Sequence, residues 1–179
     1  LAVNQLRRTL RGIANIKDSI QCITIITESG DIIFYDKPTA SSIKNSWLDT
    51  MNLTPEELYD KISNENSTQY ITTRYASSFS AKPYYLFHLA HRIVDYNSIH
   101  RQLGVIIISI DERLLHEVCN QNSVDGDDTL PGNVNFIVDD EGRLVTFPVQ
   151  RSIENTVLPI PESENGWRES YGELIEGSG

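Results

Sequence analysis

Three stretches of alternating side-chain character, near Thr68–Ala76, Tyr84–Asp95 and Gln102–Asp111, constrain the chain more than any other feature. Each reads as a β-strand, and alternate residues of a strand face opposite sides of its sheet. In the first, Ile71, Thr73 and Tyr75 oppose Tyr70, Thr72 and Arg74. In the second, Tyr85, Phe87, Leu89 and Ile93 oppose Tyr84, Leu86, His88 and Arg92. In the third, Ile106, Ile108 and Ile110 oppose Val105, Ile107 and Ser109. One set is consistently more apolar and suits a covering helix. The other is mixed, as ligand sites are.

A helix to cover the apolar set opens the chain. Val3, Leu6, Leu10, Ile13 and Ile20 recur at spacings of three and four, with Lys17 in the remaining seam position. This pattern predicts one amphipathic helix over residues 1–20, about 30 Å long at ~1.5 Å per residue. Gly12 within it costs about 1 kcal/mol of helix propensity, so tertiary packing has to support the element. Such a helix can pack on a sheet, pair with a symmetry mate, or do both.

Between helix and strands, Ile23–Thr27 and Ile32–Tyr35 flank the turn Glu28-Ser29-Gly30-Asp31. A short helix is expected to carry Trp47 and Leu48. Thr54-Pro55-Glu56-Glu57 has the composition of a capped helix start, with the helix running to about Ile62. After Ile110-Asp111 another helix passes through Leu114, Leu115 and Val118, followed by a polar linker over 120–132. A second hairpin then spans Val134–Val138 and Leu144–Phe147 around Asp139-Asp140-Glu141-Gly142, and a Pro- and Glu-rich tail closes the chain. The division expected is a helix over 1–20, a module over 21–122, and a reduced or truncated module with tail over 123–179.

Charge and motifs narrow the function. A formal net charge of -10 repels phosphate backbones, which argues against nucleic acid as a partner. No stretch approaches the ~20 apolar residues of a membrane span. The start at Leu1 and the end in Glu176-Gly177-Ser178-Gly179 are read as the limits of a piece of a longer protein. Cys22 and Cys119 form no C-x-x-C pair, leaving one disulfide or two free thiols open. His88 and His91 lie three apart on a strand, point to opposite faces and cannot chelate together. Asp125, Asp127 and Asp128 lack the calcium-loop pattern. No nucleophile elbow, phosphate loop or metalloprotease helix is present, so neither a catalytic residue, a metal nor a cofactor is expected. Asn52-Leu53-Thr54 and Asn66-Ser67-Thr68 match glycosylation sequons.

The order of long helix, hairpin, Trp-bearing helix and three long strands, then Gly104-Val105-Ile106-Ile107-Ile108-Ser109-Ile110-Asp111 into a Leu-rich helix, resembles a Cache domain. These are the PAS-like extracytoplasmic sensor modules of bacterial histidine kinases and chemoreceptors, and the double-Cache kinase sensors are the nearest in pattern. The segment Asn135-Phe136-Ile137-Val138-Asp139-Asp140-Glu141-Gly142-Arg143 is similar to the opening of their membrane-proximal module. The resemblance covers roughly residues 1–147. It implies an α+β fold: a five-stranded antiparallel sheet with the long N-terminal helix on one face and a ligand pocket on the other, plus a small second β module.

Cache sensors of free amino acids use arginine, tryptophan and tyrosine from a helix, with tyrosine and two aspartates from strands. Here Trp47 and Tyr70 match, while the arginine position is Asn45, the second aromatic Leu48, and the aspartate positions Thr72 and Ser109. The carboxylates for an ammonium group are missing, and Arg74 or Arg92 favours a neutral or anionic small molecule. The expected ligand-binding set is Trp47, Tyr70, Thr72, Arg74, His88, Arg92 and Ser109. The resemblance implies a non-catalytic, extracellular sensing domain of a membrane-anchored histidine kinase. The alternatives are a chemoreceptor's sensor domain, or a ligandless protein-binding module that forms a homodimer through the N-terminal helix.

Overall fold

The computed structural model describes residues 2–38, 40, 48, 53–76, 84–121, 135–147, 158 and 172, with backbone alone at 72–76, 99–100 and 120–121. The chain divides into two compact units, Leu1–Asp111 and Glu112–Gly179.

In the first unit, α1 (Ala2–Ala14) leads into the hairpin β1 (Ile20–Thr27) and β2 (Ile32–Asp36), then α2 (Pro55–Ser63). The strands β3 (Gln69–Ala76), β4 (Tyr84–Asp95) and β5 (Ser98–Asp111) follow. The five strands form one sheet in the order β2-β1-β5-β4-β3, and every neighbouring pair is antiparallel. This is the architecture expected from the resemblance. Gly30, at φ 83°, turns the first hairpin in a backbone conformation that side chains with a Cβ resist.

Each face of the sheet has its own helix. Leu10 and Ala14 of α1 pack on Ile23, Ile33 and Tyr35, with Leu6, Ile20, Ile25 and Ile106 alongside. Leu58 and Ile62 of α2 lie on the opposite face with Cys22, Ile26, Ile71, Leu86, Ala90, Val105 and Ile107. Ile106 and Val105 therefore fall on opposite sides, as the alternation requires.

Two expectations are corrected. The opening helix stops at Ala14, not at residue 20. Its last bonds tighten, with Ile16 N–H donating to the Ile13 carbonyl, and Ile20 enters the sheet opposite Ile110. Ile20 continued the helical spacing because a strand residue on the helix-covered face is apolar for the same reason. The packing seam is half-buried Leu6 with buried Leu10 and Ala14, spaced by four, whereas Val3 and Ile13 remain exposed. The second correction concerns β3. Ile71 pairs with His88 and Arg74 with Leu86, so three residues of β3 span two of β4. This irregularity inverts the phase of the strand. It carries Ile71 to the α2 side and Tyr70, opposite Leu89, to the α1 side.

The start of α2 follows its sequence signature. The Thr54 hydroxyl accepts from Glu57 N–H at 3.2 Å, the Glu57 carboxylate accepts from Thr54 N–H at 2.8 Å, and Pro55 takes the first turn. Thr54→Ala removes this cap and lowers stability by about 1 kcal/mol, readable in thermal unfolding. An unchanged melting temperature would show that burial of Leu58 and Ile62 alone sets this helix.

The second unit contains α3 (Arg113–Gln121) and the antiparallel strands β6 (Ile137–Val138) and β7 (Leu144–Thr146). The Asp139 carboxylate accepts from Glu141 N–H, Arg143 N–H and Arg143 Nε–H at 2.7–3.0 Å, which folds the acidic turn back on itself. Gly142 occupies φ 78° there. Phe136 and Phe147 meet at 5.9 Å between ring centroids. Glu112 is buried and accepts from the Thr146 hydroxyl. α3 lies within this second unit.

Candidate functional site

On its α2 side the sheet is chemically split. One half is aliphatic: Ile26, Val105, Ile107 and Ala90 lie under Leu58 and Ile62. The other is polar. The register places Asp36 of β2 opposite Cys22 of β1, Cys22 opposite Ser109 of β5, and Ser109 opposite His88 of β4. Directly opposed side chains in antiparallel strands have Cβ atoms about 5 Å apart, so Asp36, Cys22, Ser109 and His88 form a continuous row across four strands. Thr24 and Asp111 flank it, each two residues along from a member of the row. Asp36, Thr24, His88 and Ser109 are fully buried, and Asp111 is buried at 5 % exposure.

Burying polar groups is costly unless they are hydrogen-bonded, and here the bonding is lateral. His88 Nδ1 lies 2.9 Å from Ser109 Oγ, and Cys22 Sγ lies 3.5 Å from Thr24 Oγ1. With its two flanking residues the row combines two carboxylates, two hydroxyls, a thiol and an imidazole, a set suited to orienting a small polar molecule by hydrogen bonds. Ser109→Ala removes the hydroxyl that meets His88 Nδ1. It lowers stability by about 1–2 kcal/mol, and adding His88→Phe costs less than the sum of the two single changes. Strict additivity in that double-mutant cycle would show that the pair does not act as a unit.

Of the expected site residues, the structure brings His88 and Ser109 into direct contact. Arg92 is half-buried on the same face, opposite Val105, toward the aliphatic half. The backbone at Arg74 pairs with Leu86, which itself lies opposite Asp111. Thr72 falls within the β3 irregularity. Tyr70 is separated from the others: its ring stacks on Phe87 at 5.9 Å on the α1 side and is 39 % exposed. Trp47 lies outside the described residues; its neighbour Leu48 packs against the α2-side core.

Asp36, Cys22, Thr24 and Asp111 were not anticipated as site residues. A signal for them existed: Cys22 and Thr24 share the period of Ile26, and Asp111 that of Ser109. The position of Asp36 depended on knowing that β1 lies between β2 and β5.

In the middle of α2, burial and then the carboxylates of Glu28 and Asp60 push the Tyr59 phenol up. In the second unit, burial and then Glu112 push the Cys119 thiol up. Cys22 and Cys119 are both free thiols. Among the described residues no three His, Cys, Asp or Glu side chains are arranged to hold a metal ion, and no helix is long and apolar enough to cross a membrane.

No family model and no curated protein sequence matches the chain. Solved structures do. The extracellular domain of mmHK1S-Z3, assigned as a histidine kinase, superposes with a TM-score of 0.62 at 11% identity, covering 97% of this chain and 66% of that one. The corresponding domain of mmHK1S-Z2 gives 0.61 at 11% identity, covering 97% and 68%. The periplasmic sensory domain of a Campylobacter jejuni chemoreceptor gives 0.55 at 15% identity, covering 98% and 72%. The fold is thus that of the extracytoplasmic sensor domains of histidine kinases and chemoreceptors. The chain spans about two thirds of the length of the first of these structures.

Proposed function

We propose that this chain is a non-catalytic, extracytoplasmic input domain that senses a small molecule for a membrane-anchored signalling protein, a histidine kinase in the first reading and a chemoreceptor in the second. The observation that carries this is the buried polar row Asp36-Cys22-Ser109-His88, set on the sheet face opposite α1. Arg92 and the Arg74 position incline the ligand toward neutral or anionic character. A neutral molecule rich in hydroxyl or amide groups is compatible with these arginines and with the mixed donors and acceptors of the row and its flank.

Ligand binding would bias the packing of α1 on the sheet, provided the ligand holds one arrangement more tightly than the other; equal affinity for both shifts nothing. The second unit, with its short hairpin, is read as a reduced membrane-proximal module. A metabolite screen by thermal shift tests the proposal with wild type, Ser109→Ala and Trp47→Ala. A compound that raises the melting temperature of wild type and not of Ser109→Ala supports the row as the site. A hit that stabilises all three proteins equally would place the site elsewhere. No hit across a broad library would leave the domain without a small-molecule role.

A second reading has its own observation. Val3, Ile13 and Ile16 are 46 %, 42 % and 73 % exposed along the opening segment, which suits a homodimer through α1. Arg7, Arg8 and Arg11 of that helix would face like charges across a two-fold axis, so such a dimer tightens as salt rises. Sedimentation at low and high salt decides it: a monomer at both rejects this reading.

A further inference from the structure

The sequence holds two Asn-x-Ser/Thr triplets, and the structure separates them. Transfer of a glycan to asparagine needs an accessible carboxamide and an available hydroxyl two residues on. At Asn52-Leu53-Thr54 the hydroxyl is committed: Thr54 Oγ1 accepts from Glu57 N–H at 3.2 Å and closes the cap of α2. Asn66-Ser67-Thr68 forms the turn from α2 to β3. There Asn64, Glu65, Asn66, Ser67 and Thr68 are five consecutive exposed residues, between the buried anchors Ile62 and Ile71. No described residue hydrogen-bonds the Asn66 side chain. Among the described residues the Thr68 hydroxyl has only a long contact, 3.4 Å, to Nδ1 of the exposed His91.

We propose that Asn66 is an N-glycan acceptor, modified on the outer side of the membrane by a glycosyltransferase using a lipid-pyrophosphate-linked oligosaccharide. The Asn66 amide nitrogen forms a bond to C1 of the first sugar as the C1–oxygen bond to the pyrophosphate breaks. The lipid pyrophosphate leaves with the electron pair, and the amide gives up one proton to a base of the transferase. The turn is built for this: a bulky hydrophilic addition there displaces no core side chain and breaks no hydrogen bond. The proposal rests on the extracytoplasmic reading given above.

The test uses the full-length protein from its own cells. Protease accessibility in intact cells reports its location, and mass spectrometry of the peptide containing Asn66 reports its modification. The expected result is a protein reached from outside whose Asn66 peptide carries sugar-mass increments. These are lost in Asn66→Gln and Thr68→Val, retained in Thr68→Ser and Asn52→Gln, with unchanged melting of the Asn66→Gln domain once deglycosylated wild type is the reference. A protein reached from outside with a bare Asn66 overturns this proposal alone. A protein confined to the cytoplasm overturns both it and the extracytoplasmic reading. Sugar that persists in Asn66→Gln overturns it as well.

Discussion

Leu10→Ala lowers the stability of the domain by about 3 kcal/mol, and the loss is concentrated in α1. Leu10 is 2 % exposed and is the central member of the Leu6-Leu10-Ala14 seam against Ile23, Ile33 and Tyr35. Two effects add. The truncation leaves a cavity on the sheet, and a helix of 13 residues has little stability of its own once its packing is weakened. Amide exchange distinguishes this from a uniform loss: α1 loses protection while the β1–β5 ladder keeps it. Ile13→Ala, at a position 42 % exposed, is the control and stays within about 0.5 kcal/mol. Equal effects at the two positions would mean that the helix is not seated on the face described.

Gly104→Ala destabilises the sheet by about 2 kcal/mol, seen as a lower denaturation midpoint at unchanged slope. Gly104 lies in β5 between Thr27 of β1 and Ile93 of β4. A Cβ placed there would sit 2.6 Å from the Ile26 carbonyl oxygen and 3.4 Å from Thr27 Cα. The obstacle is backbone, held by the β1–β5 ladder, so no side chain can swing away to make room. Some compensation comes from the lower chain entropy of unfolded alanine, which is below about 1 kcal/mol. A neutral substitution would show that the two strands separate freely at this point, and the tight pairing of the central ladder would be lost as an explanation of the fold.

The strands were the most readable part of the chain. Tyr84–Asp95 has the boundaries that alternation predicts, and Phe87 and Leu89 fall opposite His88 and Leu86 as they should. The helix end was not readable, because Ile20 fits both periods. Nor was the β3 irregularity: Ile71-Thr72-Thr73-Arg74 contains no glycine or proline to mark an extra residue. That hidden residue is why Tyr70 was grouped with Arg74 and is found beside Phe87. For the candidate site, His88 and Ser109 were legible because they share the mixed phase of adjacent strands. Asp36 was not, since strand order is a property of the whole sheet and no local pattern encodes that β1 separates β2 from β5.

The location of β1 has a mechanical consequence. Cys22 and Thr24 belong to the polar row and its flank, while Ile23 and Ile25 touch the opening helix on the far side. The two surfaces are therefore neighbours along one strand, a single peptide unit apart. Any displacement of that strand at the Cys22 and Thr24 side chains displaces the seat of the helix with it. In the input domain proposed above, a signal would need to cross only the thickness of one sheet.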